Sequence, residues 1–98
     1  MKIRQGDVLL TKISKLPKGL VKKDKVIALG EVTGHSHRFE SEAVCVFKDK
    51  KGKQYVDVQQ EAELVHEEHE NLQIPKGKYV VSPQREVDLL GQVRQVMD

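Results

Sequence analysis

The sequence predicts a mainly β protein, a small antiparallel barrel or sandwich formed by residues 1–98 as one domain. Three observations point there. Glycine, proline and charged turn clusters interrupt the chain every few residues, so its apolar runs have strand length. Those runs are rich in Val and Ile, which suit a pleated, half-buried surface. Ninety-eight residues with no Trp and four Phe or Tyr also leave only a thin core.

Taken in order, Val8 to Ile13 follows Gly6-Asp7 and reads as a first strand, stopped by Leu16-Pro17-Lys18-Gly19. Val26 to Leu29 is a short apolar run ended by Gly30, and Glu31-Val32-Thr33 leads into Gly34 and the first histidines. Ala43 to Phe47 is continuously apolar and suits a strand buried on both faces, with Cys45 as a small buried hydrophobe. Asp49-Lys50-Lys51-Gly52 is a turn that joins Val44–Lys48 to Lys53–Val58 as a hairpin. Glu61 to His66 carries Leu64 and Val65 into the second histidine pair. Leu72 and Ile74 alternate with polar residues up to Pro75-Lys76-Gly77, and Lys78 to Ser82 forms another strand. After Pro83, Val87, Leu90, Val93 and Met97 have the spacing of one helical face. Gly91 suits that short C-terminal helix poorly, and two strands meeting at Leu90-Gly91 are the alternative.

Composition excludes several classes. No apolar run approaches the length that spans a bilayer, and no signal-peptide pattern opens the chain. One cysteine cannot form an internal disulfide. The expectation is a soluble, cytoplasmic protein without a membrane partner. No nucleophile elbow, phosphate-binding loop or dinucleotide fingerprint occurs. The net charge is +2, yet residues 1–53 hold thirteen Lys/Arg against six Asp/Glu, and residues 54–98 hold four against nine. Opposed halves predict a homo-oligomer through head-to-tail complementarity. The lysines between Lys12 and Lys25 read as a solvated surface loop, or as a patch that steers a polyanion such as RNA.

All four histidines fall in two motifs, Gly34-His35-Ser36-His37-Arg38 and His66-Glu67-Glu68-His69-Glu70. On a strand, His35 and His37 project from one face, with Ser36 turned away. His66 and His69 share a face if their segment is helical. If it is extended, His66 pairs with Glu68 instead. Neutral imidazoles suit a divalent transition metal such as Zn, Fe or Ni and, less strongly, Mn. The candidate metal ligands are therefore His35, His37, His66 and His69, brought together by the hairpin between the motifs; solvated or structural histidines are the competing reading. Glu67 or Glu68 would then be a general base beside metal-bound water. Arg38 and Arg85, with Gln84 and Glu86 beside the latter, would hold an anionic small molecule. Arg85 is also a candidate catalytic residue.

His35-Ser36-His37, Glu42 five positions on and the Pro75-Lys76-Gly77 turn together resemble the metal-site pattern of the cupin superfamily. The resemblance implies a β-barrel in which His35, His37 and Glu42 bind a divalent ion. In that pattern a histidine follows the proline-glycine turn, whereas here the second pair precedes it. The blocks GEVTGHSHR, HEEH and QRE are also similar to those of short bacterial and phage proteins of unassigned function. Three functions follow as expectations: a metal-binding protein acting as a hydrolase on a phosphate-containing substrate, a nucleotide- or RNA-binding module, or a self-assembling structural protein.

Overall fold

A computed structural model describes residues 1–29 and 34–83. Among them run ten strands: β1 Lys2–Gln5, β2 Val8–Ile13, β3 Val21–Lys23, β4 Val26–Leu29, β5 Ser36–Phe39, β6 Val44–Lys48, β7 Gln54–Val58, β8 Ala62–His66, β9 His69–Ile74 and β10 Gly77–Pro83. They form two antiparallel sheets, ordered β1-β2-β10-β7-β6-β3 and β4-β5-β8-β9. The architecture is a small β sandwich. The possible C-terminal helix, and Gln84, Arg85 and Glu86 with it, lie outside the described residues. No helix among the described residues is long and apolar enough to cross a membrane.

Alternation builds the core. The larger sheet turns Val8, Leu10, Val44, Val46, Val56, Val58, Tyr79 and Val81 inward, and the smaller one answers with Ile27, Phe39, Ala62, Leu64 and Ile74. Tyr79 buries its ring completely and donates its hydroxyl to the Pro75 carbonyl at 2.7 Å, which satisfies the one polar atom of that side chain.

The central hairpin forms as its turn chemistry dictates. Val44 pairs with Val58 and Lys48 with Gln54. One carboxylate oxygen of Asp49 accepts the N–H groups of both Lys51 and Lys53, and Gly52 takes the positive φ of 87° that closes the loop. β6 is buried on one face only: Val44 and Val46 are inside, whereas Cys45 and Phe47 are half-buried on the outer face. The apolar run from Ala43 to Phe47 thus reflects an outer sheet face that is itself apolar at Cys45 and Phe47, and Cys45 is not a core residue.

Two strands depart from the sequence reading. Lys2–Gln5 pairs with β2 through a two-residue turn, Gly6-Asp7, with Gly6 at φ 56°. Val21–Lys23, inside the expected lysine loop, pairs with β6 as an edge strand. The lysines there suit a sheet edge that must not recruit further strands.

Candidate metal centre

The two histidine motifs meet because of register. β5 pairs with β8 so that Arg38 faces Val65 and Phe39 faces Leu64. One step along, His37 lies beside His66, with ring centroids 4.2 Å apart. His66 and His69 are then a cross-strand pair of the β8–β9 hairpin, whose turn is Glu67-Glu68. Neither the helical nor the fully extended reading of this segment holds. A two-residue turn brings residues three apart to opposite strands on one face, so His66 pairs with His69 and not with Glu68. Their ring centroids lie 4.7 Å apart, and the His37 and His69 rings 5.7 Å apart.

One ring nitrogen from each of His37, His66 and His69 lies within 4.8 Å of the others. His37 and His66 are buried and His69 is exposed, so the group is open on one side. His35 stands apart. Its Nδ1 is 3.2 Å from the Glu68 carboxylate but out of line for a hydrogen bond, and its ring centroid is 6.0 Å from that of His66. Glu42 is exposed in the turn before β6 and outside the group. Of the three residues in the cupin-like pattern, only His37 belongs to the cluster.

The N-terminal hairpin forms the remaining wall. A Cβ placed on Gly6 would come 2.6 Å from His69 Nε2 and 3.2 Å from His37 Cε1, so the glycine supplies both the turn conformation and the space. Gln5 beside it is buried, and its amide nitrogen donates to the Leu64 and Glu70 carbonyls, each at 2.9 Å. Its amide oxygen is therefore the end that meets His37 Nδ1 at 2.8 Å. That ring must carry its proton on Nδ1, leaving the Nε2 lone pair free. His66 is tied differently: its Nδ1 accepts the Glu68 N–H at 3.0 Å.

Burial pushes the His37 imidazole down from 6.5 to about 4, and the neighbouring His66 and His69 push it the same way. The ring is neutral near pH 7, the form that ligates metals. The pocket in front of the cluster encloses about 250 Å³, and Asp7, Leu29 and Glu68 complete its walls.

The other candidate residues sort by side. Glu67 points away from the pocket: it accepts the Ser36 N–H at 3.0 Å and lies 2.9 Å from the Arg38 guanidinium. The Ser36 N–H above all, with Arg38 beside it, holds the Glu67 carboxyl below its ordinary value. Arg38 also meets Glu40 at 3.1 Å, so its guanidinium is engaged by two carboxylates. Glu68 is the glutamate at the pocket. Sequence reasoning missed Gln5 and Gly6. A Gly-X pair between apolar runs is a hairpin signal that would have disclosed Gly6; nothing marked Gln5.

Fold and site together define a small β-sandwich protein with a three-histidine pocket at one end of its sheets. Residues 4–84 match the model of a family described as Domain of unknown function (DUF8820), and the chain belongs to that family. No curated protein and no solved structure matches it.

Proposed function

We propose that His37, His66 and His69 bind a divalent transition metal, with zinc, iron, nickel and manganese as candidates. The observation that carries this reading is the convergence of three ring nitrogens, two of them on buried rings, within 4.8 Å. Zinc–nitrogen bonds of about 2.0–2.1 Å set tetrahedral ligands about 3.4 Å apart, so the rings close in by about an ångström. Gln5 supports the proposal by leaving His37 Nε2 free. His66 ligates once its Nδ1 releases the Glu68 N–H that it now accepts, and that N–H lies in an exposed turn open to water.

An ion held by these three imidazoles would keep room for a water ligand and would lower the pKa of that water. Glu68 at the pocket wall would take that water's proton, as in a metal-dependent hydrolase; no Lys or Arg lines the described pocket, so a phosphate-containing substrate rests on the sequence reading alone. Arg38, engaged by Glu40 and Glu67, holds the turn and not the substrate in this reading. The thiol of Cys45 has no disulfide partner, in keeping with a cytoplasmic location. Self-association is a second proposal, supported by Leu29, 83% exposed on the edge strand β4.

Elemental analysis of purified protein tests the metal. Wild type and the His35→Ala and Glu42→Ala variants should carry stoichiometric metal, and His37→Ala and His69→Ala should lose it. A metal-free wild type that gains no thermal stability from added zinc, iron, nickel or manganese would overturn the proposal. Loss through Glu42→Ala with retention in His69→Ala would replace it with the cupin-type ligand set.

A further inference from the structure

A second pocket lies beside the histidine cluster, between the sheets. It encloses about 290 Å³ and is floored by Val8, Ile27 and Val81, with Gln54, Lys51 and Lys53 along one side. That volume is near the lower end of the roughly 300–1,000 Å³ of small-molecule sites, enough for one flat ring system and part of what it carries.

The polar side of this cleft is incomplete in a specific way. The Gln54 amide nitrogen donates to the Ile27 carbonyl at 2.7 Å, which fixes the orientation of the amide. Its Oε1 is buried and has no hydrogen-bond partner. An orphaned buried acceptor is costly to keep, and because this one is covered, a donor from outside meets it only as the Gln54 amide turns toward the cleft on ligand entry. Lys51 and Lys53 sit at the exposed rim, held there by the Asp49 carboxylate that accepts both their backbone N–H groups. Among the described residues neither ammonium is in an ion pair.

A ligand that completes this cleft needs an apolar face for Val8, Ile27 and Val81. It also needs an N–H donor on its edge for Gln54 Oε1, and an anionic group for the two lysines. We propose that the cleft binds a purine nucleotide, with the base between the sheets, its exocyclic amine donating to Gln54 Oε1, and its phosphate at Lys51 and Lys53. Adenine presents such a donor at N6. The same chemistry is offered by a free nucleotide and by one nucleotide of an RNA strand. The proposal goes beyond the metal reading and stands without it, since none of the three metal-binding histidines lines this cleft.

Titration of the ¹⁵N-labelled full chain with AMP, adenosine, inorganic phosphate and a short oligoadenylate tests it. AMP should shift the Gln54 side-chain amide and the backbone amides of Val8, Ile27 and Val81. Adenosine and phosphate should each bind about tenfold more weakly than AMP, because each lacks one half of the recognition. Gln54→Leu removes the orphan together with the amide's bond to the Ile27 carbonyl, so it should weaken AMP about tenfold while the protein stays folded. The Lys51→Ala/Lys53→Ala double variant changes only an exposed turn; it should weaken AMP to the level of adenosine and abolish the salt dependence of binding. Tighter binding of the oligonucleotide than of AMP would identify RNA as the source, and the reverse a free nucleotide. No shifts at these amides with millimolar AMP, or AMP binding unchanged by Gln54→Leu, would overturn the assignment.

Discussion

His37 is a neutral imidazole because it is buried beside two others, and that has a consequence for stability. In the unfolded chain the ring titrates near 6.5, and in the fold near 4. Between these values the unfolded state binds a proton that the fold refuses, so stability is full above pH 6.5 and falls as pH drops through that window toward 4. The loss is on the order of 3 kcal/mol. Urea midpoints of the metal-free protein should decline over this range, and His37→Gln should flatten the decline; equal slopes in both proteins would refute the assignment. Gly6→Ala should cost roughly 2 kcal/mol or more, through the positive φ and the contact with His69 Nε2 together. Its thermal unfolding midpoint should fall accordingly, and a midpoint equal to that of wild type would show that the hairpin shifts at no cost. At this scale the sequence disclosed the histidines by composition alone. Gln5 stayed hidden because an amide's role depends on which carbonyls surround it, and those belong to residues 59 and 65 positions away.

Among the elements, the hairpin of β6 and β7 was legible because turn chemistry is local: Asp49, Gly52 and the flanking Val and Tyr residues all point one way. Asp49→Ala removes the acceptor of two backbone N–H groups in that turn. It should lower stability by about 1–2 kcal/mol in chemical denaturation, while Lys50→Ala, one residue on, changes it little. A neutral Asp49→Ala would show that water replaces the carboxylate in full. β1 and β3 were not legible, since four or fewer mostly exposed residues at a sheet edge carry little hydrophobic pattern. The β8–β9 turn failed for another reason. Glu67-Glu68 contains none of the glycine or asparagine that announces a two-residue hairpin, and the pairing of β5 with β8 and the His66–Glu68 hydrogen bond stabilise it instead.

Among the described residues of the molecule, the opposed charges of the two chain halves do not become opposed faces. Residues 1–53 supply β1, β2, β3 and β6 of the larger sheet and β4 and β5 of the smaller, while residues 54–83 supply β7 and β10 of one and β8 and β9 of the other. Interleaving mixes the two populations of charge, so head-to-tail attraction no longer carries the case for self-association. The outer edge of β4, which no other described strand pairs, does. Light scattering should report a dimer or larger species that Leu29→Lys converts to monomer, with little change in unfolding midpoint; a monomeric wild type would remove the proposal. Fold class was readable at this scale because periodicity and punctuation act everywhere along the chain. The order of strands was not, because it depends on which edges find each other.

The position of β10 sets a timetable for synthesis. This last described strand lies between β2 and β7, near the middle of the larger sheet. While residues before Gly77 are still being translated, the hairpin that carries Gln5 and Gly6 can reach only the smaller sheet, through the Gln5 bonds to Leu64 and Glu70. Both histidine motifs are already made by then, but the strand that joins this hairpin to β7 is not. A nascent chain stalled there holds the wall that sets the His37 tautomer from one side only, and β10 supplies the other.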